Sequence, residues 1–175
     1  EPTIEALAAW IDQIQTQGQI ESQDDAIAIS ATLDDTIQIP TLPAEPIPNY
    51  FLTGATGFLG VYMLYDLLRH TRGDIYCLVR ADNISKGFTR LKTSLQHYNL
   101  WRDTDADRII PVSGDLSLPR LGIRQTIFDR LATKLDVIYH CGSWVNVLYP
   151  YSSLEAANVR GTQEVLRLAS QSRVK

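Results

Sequence analysis

Apolar positions recur along the chain with two different periods, and the change between them divides it. Between residues 3 and 16, Ile4, Leu7, Ile11 and Ile14 follow one another at the helical spacing of three or four. Thr3 is a candidate N-cap and Gly18 a stop, so a short helix is expected there. Residues 18–48 lose this pattern. They are acidic and polar at first, then carry Pro40, Pro43, Pro46 and Pro48. Prolines at that density exclude helix and favour extended backbone, which predicts a connector packed loosely along the next domain.

From residue 49 onward short apolar runs alternate with amphipathic stretches. Tyr50–Thr53 reads as a strand, and residues 58–70 as a helix with Leu59, Met63 and Leu67 on one face. A second strand is expected over 74–80, followed by a helix over 84–99 (Leu91, Leu95, Tyr98). A third strand at 108–115 precedes a helix at 124–134. A fourth strand at 135–141 precedes a long helix at 153–171 that aligns Leu154, Val159, Val165, Leu166 and Leu168. Strands that each feed a helix imply crossover connections and a parallel sheet. The fold class is therefore α/β, a Rossmann-like doubly wound sheet. A complete one has about six strands. With four in view, the expectation is a truncated sheet with an exposed apolar edge, unless a second chain completes it. The first residue, Glu1, is not Met, as expected of a piece excised from something longer.

Composition narrows the class. The chain has 175 residues, 45% hydrophobic and 21% charged, which suits a globular domain with its own core. No apolar run reaches the roughly 18 residues of a membrane span, and the N-terminus lacks the layout of a secretory signal. Cys77 and Cys141 sit in strand-like runs without a CxxC, and the three histidines show no metal-ligand spacing. Reduced thiols in a cytoplasmic protein, with neither metal nor membrane, are the expectation. The net charge of −4 hides an asymmetry: residues 1–49 hold nine acids and no Lys or Arg, while residues 50–175 hold sixteen bases against eleven acids. That mild positive surplus suits a multiply anionic small ligand. Without a dense basic patch it does not suggest a nucleic acid.

The candidate chemistry starts at Thr53-Gly54-Ala55-Thr56-Gly57-Phe58-Leu59-Gly60, a glycine-rich turn between a strand and a helix. The first glycine permits the turn, the second lets the backbone approach a pyrophosphate, and the third lets helix and strand pack closely. The N–H groups and dipole of the helix N-terminus favour phosphate. The spacing GxxGxxG differs from the GxGxxG of many dehydrogenases. The second strand ends at Arg80, where NAD enzymes usually place an acid and an Arg accommodates a 2′-phosphate; this points to NADPH, with a solvated strand-end arginine as the alternative. Arg90 is a candidate second phosphate partner, with an ordinary surface charge as the alternative. Asp115, after the third strand, either accepts the adenine amine or serves its own turn. Cys141-Gly142-Ser143 follow the fourth strand, at the strand ends where open α/β sheets bind ligands. His140 is expected to hydrogen-bond in the core.

These residues resemble a known family. Thr53 to Gly60, Cys77-Leu78-Val79-Arg80-Ala81, Arg90-Leu91 through Leu100-Trp101, Gly114-Asp115-Leu116, and His140-Cys141-Gly142-Ser143-Trp144-Val145-Asn146 through Asn158-Val159-Arg160-Gly161-Thr162 are similar to the extended short-chain dehydrogenases. More narrowly, they are similar to terminal thioester reductase domains of nonribosomal peptide synthetases. The resemblance covers about residues 30–175, and its most specific block runs from His140 to Leu168. It adds Leu116 to the cofactor residues. Residues 1–8 also resemble the closing helix of a phosphopantetheine carrier domain, with an ordinary linker helix as the alternative.

The resemblance implies that hydride from NADPH reduces an acyl or peptidyl thioester presented by an upstream carrier domain, releasing an aldehyde or, after a second reduction, an alcohol. In that family a Ser or Thr and a Tyr-x-x-x-Lys pair handle the protons. None of the eight tyrosines here has a Lys four positions later. The chain is thus expected to carry the cofactor-binding part and to be inactive alone. Asn158 matches an Asn that helps order the proton relay, with an Asn facing its helix neighbours as the alternative. By the resemblance Tyr149 and Tyr151 would line the substrate mouth, while aromatic packing is the plainer expectation for both. Alternatives are a nucleotide-sugar epimerase or dehydratase of the same fold, and a non-catalytic NADP-sensing domain.

Overall fold

The computed structural model describes residues 48–172 and the isolated positions 3, 8, 9 and 37. Apart from those positions, the helix expected over 3–16 and the connector expected over 18–48 lie outside the described residues. Four parallel strands, β1 (Tyr50–Thr53), β2 (Ile75–Val79), β3 (Ile109–Ser113) and β4 (Val137–His140), form one sheet in the order β3-β2-β1-β4. Phe51 sits in register between Tyr76 of β2 and Ile138 of β4, and Val79 lies opposite Ser113.

Every residue of β1 and β2 is buried, as expected of strands covered on both faces. Alternate side chains point to opposite faces, which yields two cores. On one, Leu52, Ile75, Cys77 and Val79 meet Val61, Leu64 and Leu67 of α1 (Phe58–His70) and Leu91 and Leu95 of α2 (Ile84–His97). On the other, Phe51, Tyr76, Leu78 and Val112 meet Phe128 and Leu131 of α3 (Gln125–Lys134). Val165 and Leu168 of the last helix complete that second core. Helices thus flank both sides of the sheet. Because β1 is paired with both β2 and β4, the connections diverge at its C-terminal end, and a crevice opens there.

Two features depart from the sequence expectation. The helix expected over 153–171 begins at Tyr151 and is interrupted: α4 (Tyr151–Glu155) and α5 (Gly161–Ser170) flank a π-helical turn at Ala156–Arg160. The Thr162 hydroxyl, from the first turn of α5, donates to the Asn158 carbonyl within that turn at 2.6 Å, and the Asn158 side chain bonds elsewhere, so side chains compete with the helical ladder. After β3 the chain makes a short 3₁₀ turn at Pro119–Gly122, with Arg120 and Leu121 left-handed at φ 52° and 58°. No glycine marks those two positions. Their backbone cost is offset by the full burial of Leu121 and by the Asp115 N–H donated to its carbonyl at 2.8 Å.

Candidate functional site

The glycine turn is shaped by close backbone approaches. Gly54 adopts φ 72°, a conformation that L side chains disfavour, and a Cβ there would lie 2.6 Å from the Cys141 carbonyl carbon and the Gly142 nitrogen. The exit of β4 therefore runs directly against the exit of β1. A Cβ on Gly60 would stand 2.0 Å from the Gly54 carbonyl oxygen, so the first turn of α1 packs onto the glycine turn itself. Gly57 is the N-cap of α1 and donates to the Gly54 carbonyl at 2.8 Å. No side chain caps this helix, so its first N–H groups and positive dipole end face outward from the turn. The side chains of Phe58 and Leu59 are 72% and 60% exposed, and the Phe58 ring packs edge-on against Tyr62 and Tyr98. What these two residues can offer a ligand is main chain.

A cleft of about 410 Å³ opens at this point. Its lining brings together ten of the expected cofactor residues, from Gly54, Thr56 and Gly57 at one side, through Arg80, Arg90, Asp115 and Leu116, to Cys141, Gly142 and Ser143 at the other. A hollow of about 420 Å³ adjoins it and shares Arg80, Gly114 and Asp115, so Arg80 stands where the two meet. The Arg90 guanidinium reaches over from α2 and donates to the Arg80 carbonyl, which ties that helix to the end of β2. Asp115 does two things: its Oδ1 accepts from the Ser117 amide (2.9 Å) and hydroxyl (2.7 Å), stabilising the turn, and the residue borders both cavities.

The other four expected residues lie behind or beside the cleft. Thr53 is fully buried, and its hydroxyl oxygen accepts from the Gly142 N–H at 3.0 Å, so it shapes the site without lining it. Phe58, Leu59 and Gly60 also fall outside the lining. The fifteenth residue, Asn158, is likewise outside. Its Oδ1 accepts from the Trp144 N–H at 2.7 Å and its Nδ2 donates to the Trp144 carbonyl at 2.9 Å, which pins the loop after β4. Trp144 and Ala157 line the cleft and were not singled out from the sequence. An aromatic residue just past a strand, outside any period, was the signal for Trp144. Ala157 carried none. Tyr149 stacks edge-on against Trp144 at 5.5 Å, while Tyr151 opens α4.

His140 bridges two hydroxyls, Thr53 through Nδ1 (2.6 Å) and Thr162 through Nε2 (3.1 Å). Desolvation lowers its pKa below the usual histidine value. Burial raises the thiol pKa of Cys141 in the cleft and, more strongly, that of Cys77 in the core. Among the described residues no group of His, Cys, Asp or Glu could hold a metal ion, and no helix is long and apolar enough to cross a membrane.

Comparison with known proteins follows this geometry. Residues 52–175 match the NAD-binding family described as "Male sterility protein". A linear gramicidin synthase protein of Brevibacillus parabrevis is 46% identical over 182 residues, which is 99% of this chain and 4% of that protein. The terminal R domain from the myxalamid PKS-NRPS biosynthetic pathway superposes with a TM-score of 0.81 at 44% identity, over 86% of this chain and 39% of that one. A thiolation-reductase di-domain from an archaeal non-ribosomal peptide synthetase does so with a TM-score of 0.60 at 25% identity, over 91% of this chain and 32% of that one. The chain thus spans a small part of the synthase and about two fifths or less of the two reductase structures.

Proposed function

The chain belongs to the NAD-binding "Male sterility protein" family, and from that premise we propose that it is the cofactor-binding part of an NADPH-dependent thioester reductase. The full protein would release a carrier-bound acyl or peptidyl chain as an aldehyde, or after a second reduction as an alcohol, at the end of a multidomain synthase. A nicotinamide cofactor follows from the family. The choice of NADPH is our reading and rests on Arg80; that of a carrier-borne thioester is supported by similarity to the gramicidin synthase and to a thiolation-reductase di-domain. The two free thiols fit a cytoplasmic setting.

One observation carries the cofactor assignment: Arg80 borders the same cleft as Gly54 and Gly57. The N–H groups at the start of α1, from Phe58 and Leu59, would hold the pyrophosphate, where an uncapped N-terminus favours negative charge. Arg80 would pair with the 2′-phosphate, with Arg90 beside it. Asp115 and Leu116 would flank the adenine side, and Cys141, Gly142 and Ser143 the nicotinamide ribose. NADPH, when bound, supplies the hydride. The residues of this chain bind and orient it. Asn158 holds the Trp144 backbone, and through it the loop that would face the acceptor. Proton transfer needs a Tyr-Lys pair of the required spacing, which these 175 residues do not contain.

Calorimetry with NADPH and NADH on the wild-type chain and Arg80→Ala tests the reading. Loss of a charge-assisted phosphate pairing should weaken NADPH roughly ten- to a hundredfold and leave NADH unchanged. Equal affinity of the wild type for both cofactors would remove the basis for NADPH.

A further inference from the structure

A single chain of hydrogen bonds runs behind the cleft and can be ordered from one end. Thr162 donates its only hydroxyl hydrogen to the Asn158 carbonyl at 2.6 Å. Its oxygen can therefore only accept from His140 Nε2, 3.1 Å away, so Nε2 carries the imidazole proton. A neutral imidazole protonated at Nε2 has a bare Nδ1, which accepts from the Thr53 hydroxyl at 2.6 Å. With that hydrogen committed, the Thr53 oxygen presents lone pairs to the Gly142 N–H at 3.0 Å. The order is Gly142 N–H to Thr53, Thr53 O–H to His140, His140 Nε2–H to Thr162, and Thr162 O–H to the Asn158 carbonyl. Asn158 in turn grips both backbone polar groups of Trp144. The loop from Cys141 to Trp144 is thereby bolted at both ends by groups that share one histidine.

We propose that His140 is a positioning residue of the dinucleotide site, held as the neutral Nε2–H tautomer so that Thr53 anchors Gly142 and Thr162 braces the Asn158 turn. The inference rests on the reading of the cleft as a dinucleotide site. His140 itself does not line the cleft, and both its nitrogens are engaged, so it is not a proton donor to substrate. The imidazolium would place a second donor against the Thr53 oxygen and leave that buried hydroxyl hydrogen to find another acceptor. Desolvation already disfavours the charged ring.

The tautomer is read directly, without any variant, by long-range proton–nitrogen correlation spectra of the chain labelled with ¹⁵N-histidine. An unprotonated Nδ1 and a protonated Nε2 at neutral pH are expected. A proton on Nδ1 overturns the proposal. Two variants then separate positioning from bulk. His140→Asn places an amide oxygen near the position of Nδ1 and should keep the Gly142 amide protected from hydrogen exchange. His140→Leu should lose that protection and bind NADPH roughly tenfold more weakly, the effect of one lost hydrogen bond. Equal protection and equal affinity in the two variants overturn the role. Wild-type chain that fails to bind NADPH defeats the cofactor reading instead, while the tautomer and the Gly142 exchange, both measured without cofactor, still decide the role of His140.

Discussion

The two segments that meet at the cleft are built by opposite means. The turn from Thr53 to Gly60 is held by contact: Gly54 and Gly60 leave no room for a methyl group, and the helix that follows packs on the turn. The loop after β4 is held from Cys141 to Trp144 by hydrogen bonds from distant residues, Thr53 at Gly142 and Asn158 at Trp144. Beyond Trp144 it presents Val145, Val147 and Leu148 at 81%, 94% and 73% exposure. The first segment packs largely on itself, Gly60 against the Gly54 carbonyl, and touches the second where Gly54 meets Cys141 and Gly142. The second takes its shape from elements 14 and 89 positions away in sequence. The proposed dinucleotide site would thus be half steric and half polar, and the halves should fail differently.

Substitution in the steric half should have the largest effect. Gly60→Ala drives a methyl group into a backbone carbonyl that cannot move independently and should cost about 3 kcal/mol, read from urea unfolding at unchanged m. Gly57→Ala, whose Cβ would meet the Gly54 oxygen at 3.3 Å, should cost far less. Equal losses at the two positions would show that close packing does not govern this half.

In the polar half, Asn158→Ala removes two hydrogen bonds to Trp144 and should cost roughly 1–2 kcal/mol, with faster exchange of the Trp144 amide. Asn158→Asp keeps the acceptor and should recover part of the loss. If alanine leaves Trp144 exchange unchanged, the loop has another anchor.

A smaller effect should follow pH. The pKa of His140 is lowered in the fold, so the unfolded chain takes up the proton first as pH falls. The stability this group contributes is complete above the ordinary histidine pKa, about 6.5, and declines as pH drops from there toward the folded value. The wild type should lose stability across that window relative to His140→Asn, which does not titrate. Parallel pH profiles would contradict the sign.

The smallest effect is chemical. Cys141 lines the cleft and Cys77 lies in the core, and burial raises both thiol pKa values. Alkylation of Cys141 should be slow at neutral pH, faster in alkali and slower again with NADPH present. Cys77 should react only on unfolding. NADPH that leaves Cys141 alkylation unchanged would separate the polar half from the cofactor.

The sequence by itself determined the four strands, most of the helices among the described residues, and the glycine turn between the first strand and its helix. Short β-branched and aromatic runs alternating with helical periods were enough for four strands and their parallel pairing, because a strand that feeds a helix returns to the sheet by a crossover. Three glycines between a strand and a helix, and an Arg at the end of the next strand, were legible because backbone conformation and charge are local properties. The tertiary structure alone decided the rest. It turned Thr53 inward to hold Gly142, gave Asp115 both a turn and a cleft, bent Arg120 and Leu121 into left-handed backbone to bury one leucine, and opened a π turn at Asn158. The bonds that fix the site join residues far apart in the chain, Thr53 with Gly142 across 89 positions and Asn158 with Trp144 across 14. A periodic pattern can say which face a side chain takes, but not which distant carbonyl or hydroxyl will be waiting there.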